Sequence, residues 1–147
     1  LDQHARTLAY GSGPGQTTQL SICPGSNRLL EVVEDHPRPS RLALRQLPGL
    51  GLVWERRLPR QPPSISAQSV QCLHRTGTAY VFASNGGDPR WSPQATLLRV
   101  SRTTTRVIYR GSARSIAFGR DVGYVNEGRW VRRSVASTST AARSPRL

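Results

Sequence analysis

One strand-rich unit is written twice along this chain, about fifty residues apart, and few folds accommodate that. The first copy runs Ser21-Ile22-Cys23, Arg28-Leu29-Leu30-Glu31-Val32-Val33, Leu42-Ala43-Leu44, Leu52-Val53-Trp54 and Ser64-Ile65-Ser66-Ala67. The second runs Val70-Gln71-Cys72, Thr78-Ala79-Tyr80-Val81-Phe82, Leu97-Leu98-Arg99-Val100, Val107-Ile108-Tyr109 and Ser115-Ile116-Ala117-Phe118. Units of this size built from short strands cannot bury their own faces and must stack on neighbours.

Turn residues divide each copy into four. Pro24-Gly25-Ser26-Asn27, His36-Pro37-Arg38-Pro39 and Pro48-Gly49 predict strands near 18–23, 28–34, 40–46 and 51–57. In the second copy His74-Arg75-Thr76-Gly77, a long loop from Asn85 to Gln94, and Arg102-Thr103-Thr104 predict strands near 68–73, 78–84, 95–101 and 105–110. A further pair is expected near 113–118 and 121–126. In Arg41-Leu42-Ala43-Leu44-Arg45 the leucines alternate with arginines, placing the two sets on opposite faces of a strand. No segment repeats its apolar residues with helical period over three turns. The fold class is all-β, made of consecutive four-stranded antiparallel sheets.

Four strands per fifty residues is the plan of a β-propeller blade. The segment Asp88-Pro89-Arg90-Trp91-Ser92-Pro93-Gln94 resembles the Pro-x-Trp-Ser-Pro-Asp-Gly element of TolB-like, WD40-like propeller repeats, departing from it at Gln94 and Ala95. Ser115-Ile116-Ala117-Phe118-Gly119-Arg120-Asp121 resembles the first-strand entry of such blades. The resemblance implies that the sheets stack as blades: 1–17 as the end of a preceding blade plus a loop, 18–67 as one blade, 68–112 as the next, and 113–133 as the start of a third. Residues 134–147 form a basic, Ser/Thr-rich tail with little to bury, expected to be disordered. Propellers close with typically four to eight blades, so an incomplete propeller is expected, a piece of a larger ring whose open blade edges invite self-association.

Composition narrows function more than it identifies it. The chain carries a net charge of +13 and no Lys, so arginine supplies all of its basic side chains. Residues 102–147 hold a net +8 and residues 1–101 a net +5. Arginine forks suit phosphate and carboxylate, but total replacement of Lys with no Met also reads as a coding bias. No run of about 18 apolar residues is present, so no membrane-spanning helix is expected. Cys23 and Cys72 lie 49 residues apart, close to the repeat period. Matching places in stacked units are too distant for the roughly 4.4–6.8 Å Cα separation of a disulfide. The expectation is therefore two buried free thiols.

Catalytic signals are absent from the sequence. His4, His36 and His74 fit no zinc spacing, so no metal and no cofactor are expected. Glu31, Glu34 and Asp35 do not converge on a strand and read as a solvated strand edge. Gly11-Ser12-Gly13-Pro14-Gly15 lacks the Lys and following helix of a phosphate loop. Two binding constellations remain. Asp88, Arg90 and Trp91 lie in the longest loop, where an exposed Trp beside Arg is an interface pair, although Trp91 equally reads as an aromatic folding back to seal its blade. Arg129, Trp130, Arg132 and Arg133 place guanidinium groups beside an indole, which suits phosphate and base; a blade aromatic flanked by solvated arginines is the rival. Trp54 reads as core. The sequence therefore points to a non-catalytic binding or scaffolding module with a protein or peptide partner. Binding of nucleic acid or another polyanion is the alternative.

Overall fold

Alternation of β-branched and small residues between Gly- and Pro-rich turns yields strands throughout. The computed structural model describes residues 15–35, 37–62, 65–85, 92, 94–113 and 115–118, together with the backbone of 122–126 and 132–136. Among the described residues there are eleven strands and no helix. Strands β1 (Gln16–Ile22), β2 (Arg28–Asp35), β3 (Arg38–Gln46) and β4 (Gly51–Arg57) form the first antiparallel meander. Strands β5 (Ser66–Cys72), β6 (Ala79–Ser84), β7 (Ala95–Val100) and β8 (Thr105–Gly111) form the second in the same order. A third, three-stranded sheet has the order β11 (Arg132–Ala136), β10 (Val122–Asn126), β9 (Ser115–Phe118). β11 takes in Ser134–Ala136, residues that composition assigns to a loose tail; pairing with β10 supplies the ladder that the stretch lacks alone.

The two four-stranded sheets repeat in register as well as in order. Each carries a bulge in its first strand, at Thr18 and at Gln68, fifty residues apart. With that offset Leu30 and Val32 correspond to Tyr80 and Phe82. The facing directions agree. Leu30, Val32, Leu42, Leu44 and Trp54 pack against Val70, Ala79, Val81, Leu98 and Val100 of the second sheet. Tyr80, Phe82 and Leu97 point onward to Ile116 and Phe118 of β9, and the Tyr80 and Phe118 rings stack with centroids 5.7 Å apart. The second sheet is thus buried on both faces, which is why every residue of β6 is buried and why the alternation is lost there. Trp54 is core, and the leucines of β3 face inward while Arg41 and Arg45 line the opposite face.

The cysteines correct the sequence reading: Cys23 and Cys72 form a disulfide, with Cα atoms 5.0 Å apart. Their spacing of 49 is one short of the structural repeat. A single-residue slip reverses the face to which a strand residue points. Cys72 faces back toward the first sheet, in the place that Ile22 holds there, while Cys23 lies one residue further on and faces forward. Their thiols meet between the sheets because they are not equivalent. Here also the sheets run closest, along β1 and β5, where the Cys72 backbone N–H donates to Ser21 Oγ at 3.0 Å.

The remaining face of the first sheet carries, in one row across it, Ile22, Leu29, Arg45 and Leu52. Leu20, Ile22 and Leu52 are each more than half exposed. Glu31, in the adjoining row, accepts from Arg45 Nε and from Thr17 Oγ1.

Candidate functional site

Strand direction sorts the connections onto two ends of the stack. The short turns after β1, β3, β5 and β7 lie at one end, here the turn end. The β2–β3 turn, the β4–β5 linker, the Asn85–Gln94 loop and the segment after β8 lie at the other, the loop end.

The turn end is fastened. Beside the disulfide, Arg28 Nη1 donates to the Arg75 carbonyl at 2.9 Å and Trp54 Nε1 to the Thr76 carbonyl at 2.9 Å. Further along the first sheet, Arg56 Nε near the end of β4 reaches Thr105 Oγ1 at the start of β8 at 2.7 Å. Each bond joins the first sheet to the second. Gly77 makes the approach of the Thr76 carbonyl to the indole feasible: its φ of +89° turns the chain tightly under Trp54.

The loop end holds two cavities. Between the two sheets lies a cavity of about 270 Å³, floored by Leu58, Ala67, Val81, Ala83 and Leu98. Pro37, Pro39, Pro59 and Pro62 stand around it, with Glu34, Arg38 and Arg60 at the rim. The linker between β4 and β5 forms one wall. It is fixed by burial of Leu58, whose N–H donates to the Ser40 carbonyl at 2.8 Å, and by Ile65 N–H donating to the Pro62 carbonyl at 2.9 Å. Its prolines hold φ near −65° without tertiary help. On the linker's other side a second cavity of about 410 Å³ is bordered by Gln94, Thr96, Val107 and Arg110. Arg60 borders both.

The charges at this end are unevenly engaged. Glu34 turns toward the second sheet, where its Oε1 accepts from the Ala67 N–H at 3.2 Å. Arg38 pairs with Asp35 at 3.5 Å, largely in solvent. Arg60 and Arg110 are exposed, and no ion pair or hydrogen bond joins either side chain to another described residue. The acidic trio read as a solvated strand edge is therefore divided. β2 is an interior strand, Glu31 is nearly buried and paired, Glu34 spans the sheets and Asp35 holds Arg38.

The neck of the 85–94 loop is built. Asn85 is 9% exposed; its Nδ2 donates to the Ser92 carbonyl at 2.6 Å and its Oδ1 accepts from Gln94 N–H at 3.3 Å. The Asn85 N–H closes the neck on the Gln94 carbonyl at 3.2 Å. Asp88, Arg90 and Trp91, expected in this loop as partner-binding residues, lie outside the described residues, as do Arg129 and Trp130. Arg132 and Arg133 fall in β11, opposite Asn126 and Val125 of β10. Gln94 lines the second cavity.

Sequence reasoning missed the two cavities and Arg60. The available signal was Leu58-Pro59-Arg60-Gln61-Pro62-Pro63, a proline-rich run between two apolar anchors. No group of three His, Cys, Asp or Glu able to hold a metal occurs among the described residues, and they include no helix long and apolar enough to cross a membrane. Comparison with known proteins finds no matching family model, no similar curated protein and no similar solved structure.

Proposed function

We propose that the chain is a non-catalytic binding module of β-propeller type that engages a protein or peptide partner through its loop end. The observation that carries this reading is the asymmetry of the stack: the turn end is fastened by a disulfide and by cross-sheet hydrogen bonds from Arg28, Trp54 and the Cys72 N–H, while the loop end gathers two cavities and the bonded neck at Asn85, Ser92 and Gln94. Scaffolds present recognition on loops held by rigid elements. Support for blades comes from two meanders that face the same way and lie closest along their first strands, as wedges around an axis do.

A peptide-display library selected on the purified chain tests the proposal. Enriched sequences should bind wild type, lose affinity at least about tenfold in Trp91→Ala, and be unaffected by Arg129→Ala, Arg132→Ala and Arg133→Ala. The competing polyanion reading draws on the basic excess of residues 102–147. It requires the opposite pattern: single-stranded DNA bound with a steep inverse dependence on salt that the three arginine substitutions flatten.

A further inference from the structure

We infer that the cavity between the two sheets receives the C-terminal residue of the partner polypeptide, its apolar side chain on the floor and its carboxylate on Arg60. This assignment rests on the binding-module reading and adds the chemistry of what is bound.

Size comes first. Pockets for drug-sized ligands and cofactors span roughly 300–1,000 Å³, and this cavity, at about 270 Å³, suits a single aliphatic or aromatic side chain. Its floor of Leu58, Ala67, Val81, Ala83 and Leu98 offers no polar atom beyond the backbone, so burial favours an apolar group.

The rim selects the end of the ligand. An internal peptide segment presents donors and acceptors alternately and needs both from its host. Four of the residues around this cavity are prolines, which bring no N–H, and Ser40, Gln61 and Ser66 supply its neutral side-chain donors. The rim's charged donors are guanidinium groups, and of these Arg38 faces Asp35 at 3.5 Å, largely in solvent. The wall's acid, Glu34, has an oxygen engaged by the Ala67 N–H. Arg60, which no ion pair or hydrogen bond joins to another described residue, is a planar fork beside an apolar floor, the arrangement that fits a carboxylate bidentately. A second cation without a partner among the described residues, Arg110, lies across the linker, so Arg38, Arg60 and Arg110 outnumber Glu34 and Asp35 around the opening. Proline walls also enter binding already ordered, which lowers the entropic cost.

Fluorescence anisotropy with N-terminally labelled peptides tests this directly, using the full chain with its disulfide intact. A selected peptide ending in Leu as the free acid should bind about tenfold or more tighter than its C-terminal amide, the effect of one charge-assisted contact. The same peptide ending in Asp should lose a similar factor. Arg60→Gln, at an exposed position, should abolish the acid–amide difference, and Ala83→Leu should weaken the Leu-ending peptide by occupying the floor. Free 4-methylpentanoate should compete only at far higher concentration; competition equal to the peptide's would overturn the assignment to a polypeptide end. Equal affinity for acid and amide in wild type would overturn the pocket assignment while leaving a Trp91-dependent binding module standing. Failure of every peptide to bind would remove both.

Discussion

Gly77 carries the turn that brings the second sheet under Trp54. A Cβ at this position would lie 2.7 Å from Trp54 Cζ2 and 2.9 Å from Leu44 Cδ2, with φ at +89°. Strain and overlap act together, so Gly77→Ala should cost about 3 kcal/mol, read as a lower urea midpoint at unchanged slope. At Cys23 and Cys72 the physics is that of the unfolded chain. A cross-link closing a loop of this length should contribute roughly 4 kcal/mol. Cys72→Ser, or wild type reduced while unfolded and then refolded in reductant, should lower the melting temperature by similar amounts; two free thiols titrated in the denatured, unreduced chain would show the bond absent. Nothing in the residue types announces this bond. The pairing depends on a spacing of 49 set against a repeat of fifty, and only the strand registers reveal that one-residue difference.

Among the elements, β3 is the central test of the sheet interface. Leu44 is fully buried between Leu30 and Trp54 in the ladder, and Leu44→Ala should cost about 3 kcal/mol in denaturant unfolding. At the loop neck, Asn85→Ala removes two side-chain bonds and should accelerate proteolytic cleavage within 85–94 well before global unfolding. The strands themselves were legible: the turns and alternation place all eight strands of the two larger sheets within about two residues of their observed bounds. The facing of Arg41-Leu42-Ala43-Leu44-Arg45 was equally readable, because period-two alternation follows from the pleat alone. The cavities were not. They arise from how two sheets sit against each other, which no single strand encodes, and their one local trace is the spacing of prolines in the linker. Glu31 was misread for a related reason. As a charged residue it suggested an edge, but β2 is interior and Arg45 lies on the neighbouring strand to pair with it.

At the scale of the whole molecule, the two ends of the stack have opposite mechanical character. The arrangement is that of a clothes-peg. The disulfide and its neighbouring bonds form the spring at one end, and the first and second sheets are jaws whose opening is the cavity at the other. A peg grips only while its spring holds. Chains of this kind keep such bonds in oxidising surroundings and lose them where thiols are maintained. On the proposed binding reading, the redox setting of the medium becomes a control on grip, exerted from the far side of the molecule. Reducing Cys23–Cys72 under conditions where the chain stays folded should raise the dissociation rate of a bound peptide, measured by stopped-flow anisotropy, while leaving its association rate nearly unchanged.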